Sequence, residues 1–223
     1  MTALQRPADP PFPGSYRAVV FDMDGLLLDT ETLWHRAEQQ LFATHGAEFT
    51  WDDKMAVIGS SFDFTARYFA ERLGVAPERG TALVEEMVEL MYAELQREVS
   101  GRPGAIELIE RLRGTLPLGL ASNSPRRLVD LALASAGLTD AFAAIVTGDD
   151  VERHKPAPDI YLLACRRLGV EPAEAIALED SASGVAAAKA AGMACIAVPQ
   201  YAETDVSAAD RVIDSLEELL EQD

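Results

Sequence analysis

An α/β fold, a doubly wound parallel sheet with an inserted helical cap domain, is predicted by three observations. Short apolar runs occur without polar alternation, amphipathic helical patterns lie between most of them, and one interval of roughly seventy residues carries helical patterns but no strand. Strands with no polar face are buried on both sides, so their sheet must be covered by helices front and back. The expected division is a tail over residues 1–15, a Rossmann-like core over 16–30 and 101–223, and a helical cap over 31–100.

The first strand is expected over residues 18–22, where Ala18-Val19-Val20-Phe21 is closed by Asp22 and, three residues on, Gly25. In the inserted interval, Phe64, Tyr68, Phe69 and Leu73, then Leu83, Met87, Leu90, Met91 and Leu95, recur at three- and four-residue spacing. That spacing puts each set on one helix face and reads as core packing. An insertion this long needs a small core of its own, joined to the sheet by hinges near Thr30 and near Arg102-Pro103-Gly104. Helix 104–113 then leads to strand 118–122, which closes in Ser122-Asn123-Ser124-Pro125; Ser124 is expected as an N-cap with Pro125 in the first helical position of 126–136. Strand 144–148, helix 159–168, strand 175–180, the Ala-rich helix 183–191, strand 195–199 and a short strand 211–213 complete the alternation.

Composition narrows the function. Thirty-seven acids against nineteen bases give a net charge of -18, which repels nucleic-acid backbones and anionic membrane surfaces; neither is expected as a partner. Cys165 and Cys195 sit in apolar surroundings and read as small core residues, which suits a reducing compartment. The N-terminal stretch carries Pro7, Pro10, Pro11 and Pro13 and no apolar h-region, so it is expected to be a mobile tail to about Ser15, neither signal peptide nor membrane span. A cytoplasmic monomer is expected.

The acids that carry chemistry stand at strand ends, where open α/β sheets bind ligands. Asp22 and Asp24 are two residues apart in Phe21-Asp22-Met23-Asp24-Gly25. Like charges this close call for a metal, a split acid/base role, or both. A calcium loop of the EF-hand type fails on spacing, since its fifth, sixth and twelfth positions would be Leu26, Leu27 and Leu33. The amides of the helix after strand 118–122 and the Ser122 hydroxyl point to an anion site, although Ser and Asn are equally common at ordinary caps. Lys155, one of three lysines with Lys54 and Lys189, follows the third strand in His154-Lys155-Pro156. Its compact ammonium suits a shared phosphate oxygen. A second acidic pair, Glu179-Asp180, closes the fourth strand and adds hard oxygen ligands suited to magnesium.

Asp-x-Asp, Ser, Lys and Glu-Asp, each after a successive strand, make the chain resemble haloacid dehalogenase superfamily phosphatases of the branch that includes β-phosphoglucomutase. The resemblance spans everything after the tail. It implies a small phosphorylated, sugar phosphate-like metabolite as substrate, with Asp22 as nucleophile forming an aspartyl-phosphate and Asp24 as general acid and then base. It further implies phosphate binding by Ser122, Asn123 and Lys155. Magnesium would be held by the Asp22 carboxylate, the Asp24 backbone carbonyl and Asp180, with Glu179 beside them.

Cap residues Trp34, Ser60, Ser61 and Phe62 are expected to set selectivity. Trp34 and Phe62 fall where the family's mutase keeps a histidine and an arginine, which weighs against a mutase. A phosphonate hydrolase would use a cap lysine as a Schiff base; Lys54 is flanked by Asp52 and Asp53 and is expected to be solvated. His45 and His154 are expected as solvated loop residues, and His35, one helical position beyond Trp34, is rotated by about 100° from it. A receiver-like phospho-accepting module lacks so long an insertion. A P-loop is excluded because the chain has no Gly-Lys pair.

Overall fold

The protein's structure, a computed structural model, describes residues 12–97 and 99–221. Six strands, β1 (Ala18–Phe21), β2 (Leu118–Ala121), β3 (Ala144–Val146), β4 (Ala175–Glu179), β5 (Ala194–Ala197) and β6 (Arg211–Val212), form one sheet in the order β3-β2-β1-β4-β5-β6. Every pairing is parallel, with Val19 opposite Leu118 on one side and Ile176 on the other. The chain winds outward from β1 in one direction and then, from β4, in the other. The switch point lies between β1 and β4, so the two acidic strand ends are neighbours.

The reason for the unbroken apolar runs is visible in the packing. Val19 and Phe21 enter one hydrophobic cluster with Leu108, Leu128 and Leu216, while Ala18 and Val20 enter a second with Ile160, Tyr161 and Ala187. Helices α5 (Ala105–Leu112), α6 (Arg126–Ser135) and α9 (Glu217–Leu220) thus cover one face, and α7 (Asp159–Leu168) and α8 (Ala182–Ala190) the other. The main strands end a residue or two earlier than expected, yet two of the next residues remain clamped. Asp22 donates its backbone N–H to Leu178 O at 3.0 Å and Ser122 to Val146 O at 3.1 Å.

Between β1 and β2 stand α1 (Glu31–Thr44), α2 (Trp51–Val57), α3 (Phe62–Arg72) and α4 (Gly80–Leu95). The two connections to the sheet pair with each other: Asp29 N–H donates to Ser100 O and Arg102 N–H to Leu27 O, both at 2.9 Å. Phe42, Phe49 and Phe69 meet edge to face at 5.0 to 6.2 Å, forming the centre of the helical layer. The sequence predicts a separate core here, but the residues of the helical layer belong to the same cluster as the first face of the sheet, with Leu26, Leu27 and Leu28 among its members. Phe64 departs from its stripe: it is 40% exposed. Of the expected tail, residues 1–11 lie outside the described residues; Phe12 is already buried in the core, so the packed chain begins before Ser15. Among the described residues, no helix is long and apolar enough to cross a membrane.

One buried acid organises the helical layer. Asp53 closes a capping box with Thr50 and accepts from Tyr68 Oη at 2.7 Å, Arg72 Nε at 2.5 Å and Arg72 Nη2 at 2.9 Å. Hydrogen bonding from Arg72 holds its carboxyl well below the usual aspartate range. A folded-state value below the unfolded one stabilises the fold above the ordinary aspartate pKa and is lost as pH falls toward the folded value. Asp53→Ala should therefore cost about 2 kcal/mol, a buried pair discounted for the half-exposed arginine. Urea denaturation should show that difference at pH 7 and a smaller one below about pH 4.

Candidate active site

Asp22, Glu179 and Asp180 converge at the ends of β1 and β4, with ligand oxygens all within 4.8 Å of one another and all three side chains buried; Asp22 and Asp180 line one cavity, with Glu179 behind them. Their convergence depends on two glycines. A Cβ at Gly25, whose φ is +80°, would stand 2.3 Å from Asp180 Oδ2, and one at Gly184 would collide with the Glu179 carboxylate at 1.9 Å. Only a missing side chain leaves room for these acids.

The Lys155 ammonium is the organic counter-charge. Its Nζ donates to Asp22 Oδ1 at 2.5 Å, to Glu179 Oε1 at 2.6 Å and to Ala121 O at 2.8 Å, and stands 5.0 Å from the Tyr161 ring centroid. Burial opposes its charge, but Asp22 and Glu179 outweigh burial and hold the group protonated. Burial pushes Asp22 and Asp180 well above the usual carboxylate range; Lys155 pulls back, and the neighbouring acids add to the rise. One ammonium is insufficient for three acids in so dry a place, and the hard oxygen set fits a divalent cation such as magnesium.

Glu179 is more heavily engaged than a ligand needs to be. Its Oε1 accepts from Lys155 and from Tyr161 Oη at 2.6 Å, and its Oε2 from the N–H of Asp180 at 3.2 Å and from Ser181 Oγ at 3.2 Å. It positions Lys155 and the β4 loop. Asp24 faces elsewhere. Its Oδ1 accepts from Thr30 Oγ1 at 2.8 Å and Trp34 Nε1 at 3.2 Å, and its Oδ2 from Ser122 Oγ and Ser124 Oγ, both at 2.9 Å.

Ser124 is therefore not the N-cap expected of it. Its hydroxyl is committed to Asp24, Pro125 takes the cap position without a side-chain bond, and the Arg126 N–H is satisfied by Asp149 Oδ2 at 2.9 Å. Asn123 Oδ1 accepts from the Lys155 backbone N–H at 3.0 Å and so fixes the lysine's loop.

Trp34, Ser60 and Phe62 line the cavity of about 90 Å³ that also holds Asp22, Asp24 and Lys155. Ser61 does not: it caps α3 by accepting from Phe64 N–H at 3.3 Å and faces an adjoining cleft of about 610 Å³. Trp34 and Phe62 meet edge to face at 6.0 Å.

Lys54 is not solvated. It is 1% exposed, with Nζ 2.7 Å from Glu31 Oε2 and 3.2 Å from Glu38 Oε2, and all three residues line the cavity. Charge compensation by α1 outweighs its acidic sequence neighbours, Asp52 and Asp53, which point elsewhere. His45 is exposed, as expected, and pairs with Glu86 at 3.1 Å, whereas His154 contacts Gly148 O at 3.0 Å and is partly buried rather than solvated. Thr30, Glu31, Glu38, Lys54 and Tyr161 were not singled out for this site from the sequence. A signal existed for some: Glu31, Trp34 and Glu38 are spaced by three and four residues on one face of α1.

With this geometry in place, comparison with known proteins is decisive at the level of family. The model of the haloacid dehalogenase-like hydrolases matches residues 19–198. YhcW of Bacillus subtilis is 39% identical over 82% of this chain and 83% of its own. The fructose-1-phosphate phosphatase YqaB of Escherichia coli is 33% identical over 82% of this chain and 96% of its own. The crystal structure of CbbY from Rhodobacter sphaeroides in complex with phosphate superposes with a TM-score of 0.81 at 32% identity, covering 92% of this chain and 96% of that one. The chain belongs to the haloacid dehalogenase-like hydrolase family.

Removing the central cation should be costly for the fold itself. Lys155→Met leaves Asp22 and Glu179 buried without compensation, a change expected to cost about 3–5 kcal/mol. Tyr161→Phe, which removes one hydrogen bond to Glu179, should cost about 1 kcal/mol. Denaturation midpoints of the two variants at pH 7 check the order.

Proposed function

We propose that this protein is a magnesium-dependent phosphatase that removes phosphate from a small phosphorylated metabolite through an aspartyl-phosphate on Asp22. The observation that carries the reading is the division of labour between two acids on one loop. Asp22 is fixed at the strand end by Lys155 beside Asp180, whereas Asp24 is held apart by hydroxyl and indole donors from the hinge, the cap and the end of β2. A nucleophile needs the first environment. The second keeps Asp24 off the Lys155 cluster, where it can turn to the leaving oxygen once its hydroxyl donors let go.

Asp22, Asp180 and the Asp24 backbone carbonyl would hold magnesium, which supplies charge neutralisation on the transferring oxygens. The Asp22 carboxylate attacks phosphorus, the bond to the leaving oxygen breaks, and Asp24 delivers its proton to that oxygen. In the second half, Asp24 takes a proton from water as the water attacks phosphorus and the Asp22–phosphate bond breaks. Lys155, Ser122 and Asn123 bind the phosphoryl group; the Ser122 and Ser124 hydroxyls release Asp24 when it turns to the substrate. Phosphate-ester hydrolysis is so slow unaided that positioning and charge neutralisation must supply most of the acceleration. The cap excludes bulk water while this happens.

Two other readings are less well supported. In a phosphonate hydrolase, Lys54 would need to be a neutral amine, but its two acid partners keep it charged. A mutase needs cationic cap groups where Trp34 and Phe62 line the cavity.

Asp22→Asn should abolish turnover of a phosphate ester with the fold retained; more than a tenth of the wild-type rate would remove Asp22 from the nucleophile's role. Asp24→Asn should still accept a phosphoryl group from an aryl phosphate, whose leaving group needs no proton, and should then accumulate the adduct. Mass spectrometry of the quenched variant reads it directly.

The metal is tested separately. Chelation by EDTA should stop turnover, magnesium should restore it, and calcium should inhibit because its larger, looser coordination sphere misplaces the nucleophile. Full activity in the presence of EDTA contradicts the magnesium assignment.

A further inference from the structure

The cap contributes a charged group to the cavity that phosphoryl transfer does not use. Glu31, Lys54 and Glu38 are 7%, 1% and 4% exposed and line the same cavity as Asp22 and Asp24. Lys54 Nζ lies between the two acids, at 2.7 Å from Glu31 Oε2 and 3.2 Å from Glu38 Oε2. Glu31 Oε2 makes this ion pair while buried and without a hydrogen-bond partner, whereas Glu38 Oε2 accepts from Lys54 Nζ. An ammonium has three N–H groups, of which one donates to Glu38 Oε2. Buried polar groups with unused capacity are costly unless something completes them.

Which ligand completes them follows from the donor and acceptor pattern. The lining offers acceptor, donor, acceptor in close sequence, and a hydroxyl group both donates and accepts. Adjacent hydroxyls on a carbon chain therefore match it, each giving a proton to a carboxylate while one accepts from Lys54. A second phosphate does not match. It brings two negative charges and acceptors only, and the one cation there is already balanced by two carboxylates. Burial, with Glu31 adding to it and Lys54 opposing, raises Glu38 to about 7, so this acid can also donate near neutrality.

We propose that Glu31, Lys54 and Glu38 are the specificity-determining wall of the site, selecting phosphate monoesters whose carbon chain bears adjacent hydroxyls and rejecting those with a second phosphate. This rests on the phosphatase reading above. It adds to Trp34 and Phe62, whose rings can pack on the carbon skeleton but cannot count its hydroxyls.

The test uses the full-length protein with magnesium and a ladder of three-, four- and six-carbon polyol monophosphates. Each is compared with the alkyl phosphate of equal chain length and with the corresponding polyol bisphosphate, and an aryl phosphate reports on the chemistry alone. At the preferred length, kcat/KM should be at least tenfold higher for the polyol monophosphate than for either comparator.

Lys54→Met tests the donor, and Glu38→Met, which leaves the Lys54–Glu31 pair in place, tests one acceptor if the first variant does not fold. Each should lower the polyol-to-alkyl ratio of kcat/KM at least fivefold. A purely structural role would lower both rates together and leave the ratio where it was, which overturns the assignment. Equal turnover of polyol and alkyl esters by the wild type, or of mono- and bisphosphates, overturns it as well while leaving a phosphatase. Failure to turn over any ester, the aryl phosphate included, would overturn the phosphatase reading and the wall with it.

Discussion

The buried ammonium of Lys155 is the constraint on which the site depends. It touches the end of β1 through Asp22, the end of β4 through Glu179 and the end of β2 through the Ala121 carbonyl. Three strand ends are thereby tied at one point, and the tie is ionic in a place with little water. The energy of such a tie is conditional: with all partners present it roughly balances desolvation, and with one missing it becomes a large penalty. Gly25 and Gly184 belong to the same constraint, since a Cβ at either would push a carboxylate out of the cluster. Magnesium would complete a set of charges that one lysine leaves short.

Asp24 shows how the insertion is coupled to the sheet. It takes donors from Ser122 and Ser124 beyond β2, from Thr30 at the hinge and from Trp34 within α1. Two belong to the catalytic layer and two to the segment that leads into the cap. Movement of α1 away from the sheet would cost Asp24 its Trp34 contact, so cap position and the setting of Asp24 are physically linked. Ser183 Oγ, which donates to the Gly59 carbonyl, adds a second link between cap loop and core.

The cap contains two buried charge clusters with different consequences. Asp53 is saturated by Thr50, Tyr68 and Arg72 and is structural, since none of its contacts reaches the cavity. The Glu31–Lys54–Glu38 cluster, one residue further along α2, is unsaturated and faces the cavity. Adjacent positions on a helix point about 100° apart, which is enough to send one charge into the helical layer and its neighbour into the site.

Much of the fold was legible because its signals are local. Apolar runs without alternation identify strands covered on both faces, and the interval from Glu31 to Ser100 lacks any such run. The acids also lie where strands end, so their order along the chain alone placed Asp22, Asp24, Lys155 and Asp180 at one edge of the sheet. What only tertiary structure decided are the partners of polar groups. Lys54 reads as solvated beside Asp52 and Asp53, yet it is buried because Glu31 and Glu38 arrive from α1. Ser124 reads as a cap, yet Asp24, a hundred residues earlier, claims its hydroxyl. Trp34 reads as an apolar cap residue, and its N–H turns out to hold Asp24. Periodicity is a property of neighbouring residues, whereas the cost of burying a charge is settled by whichever distant group compensates it.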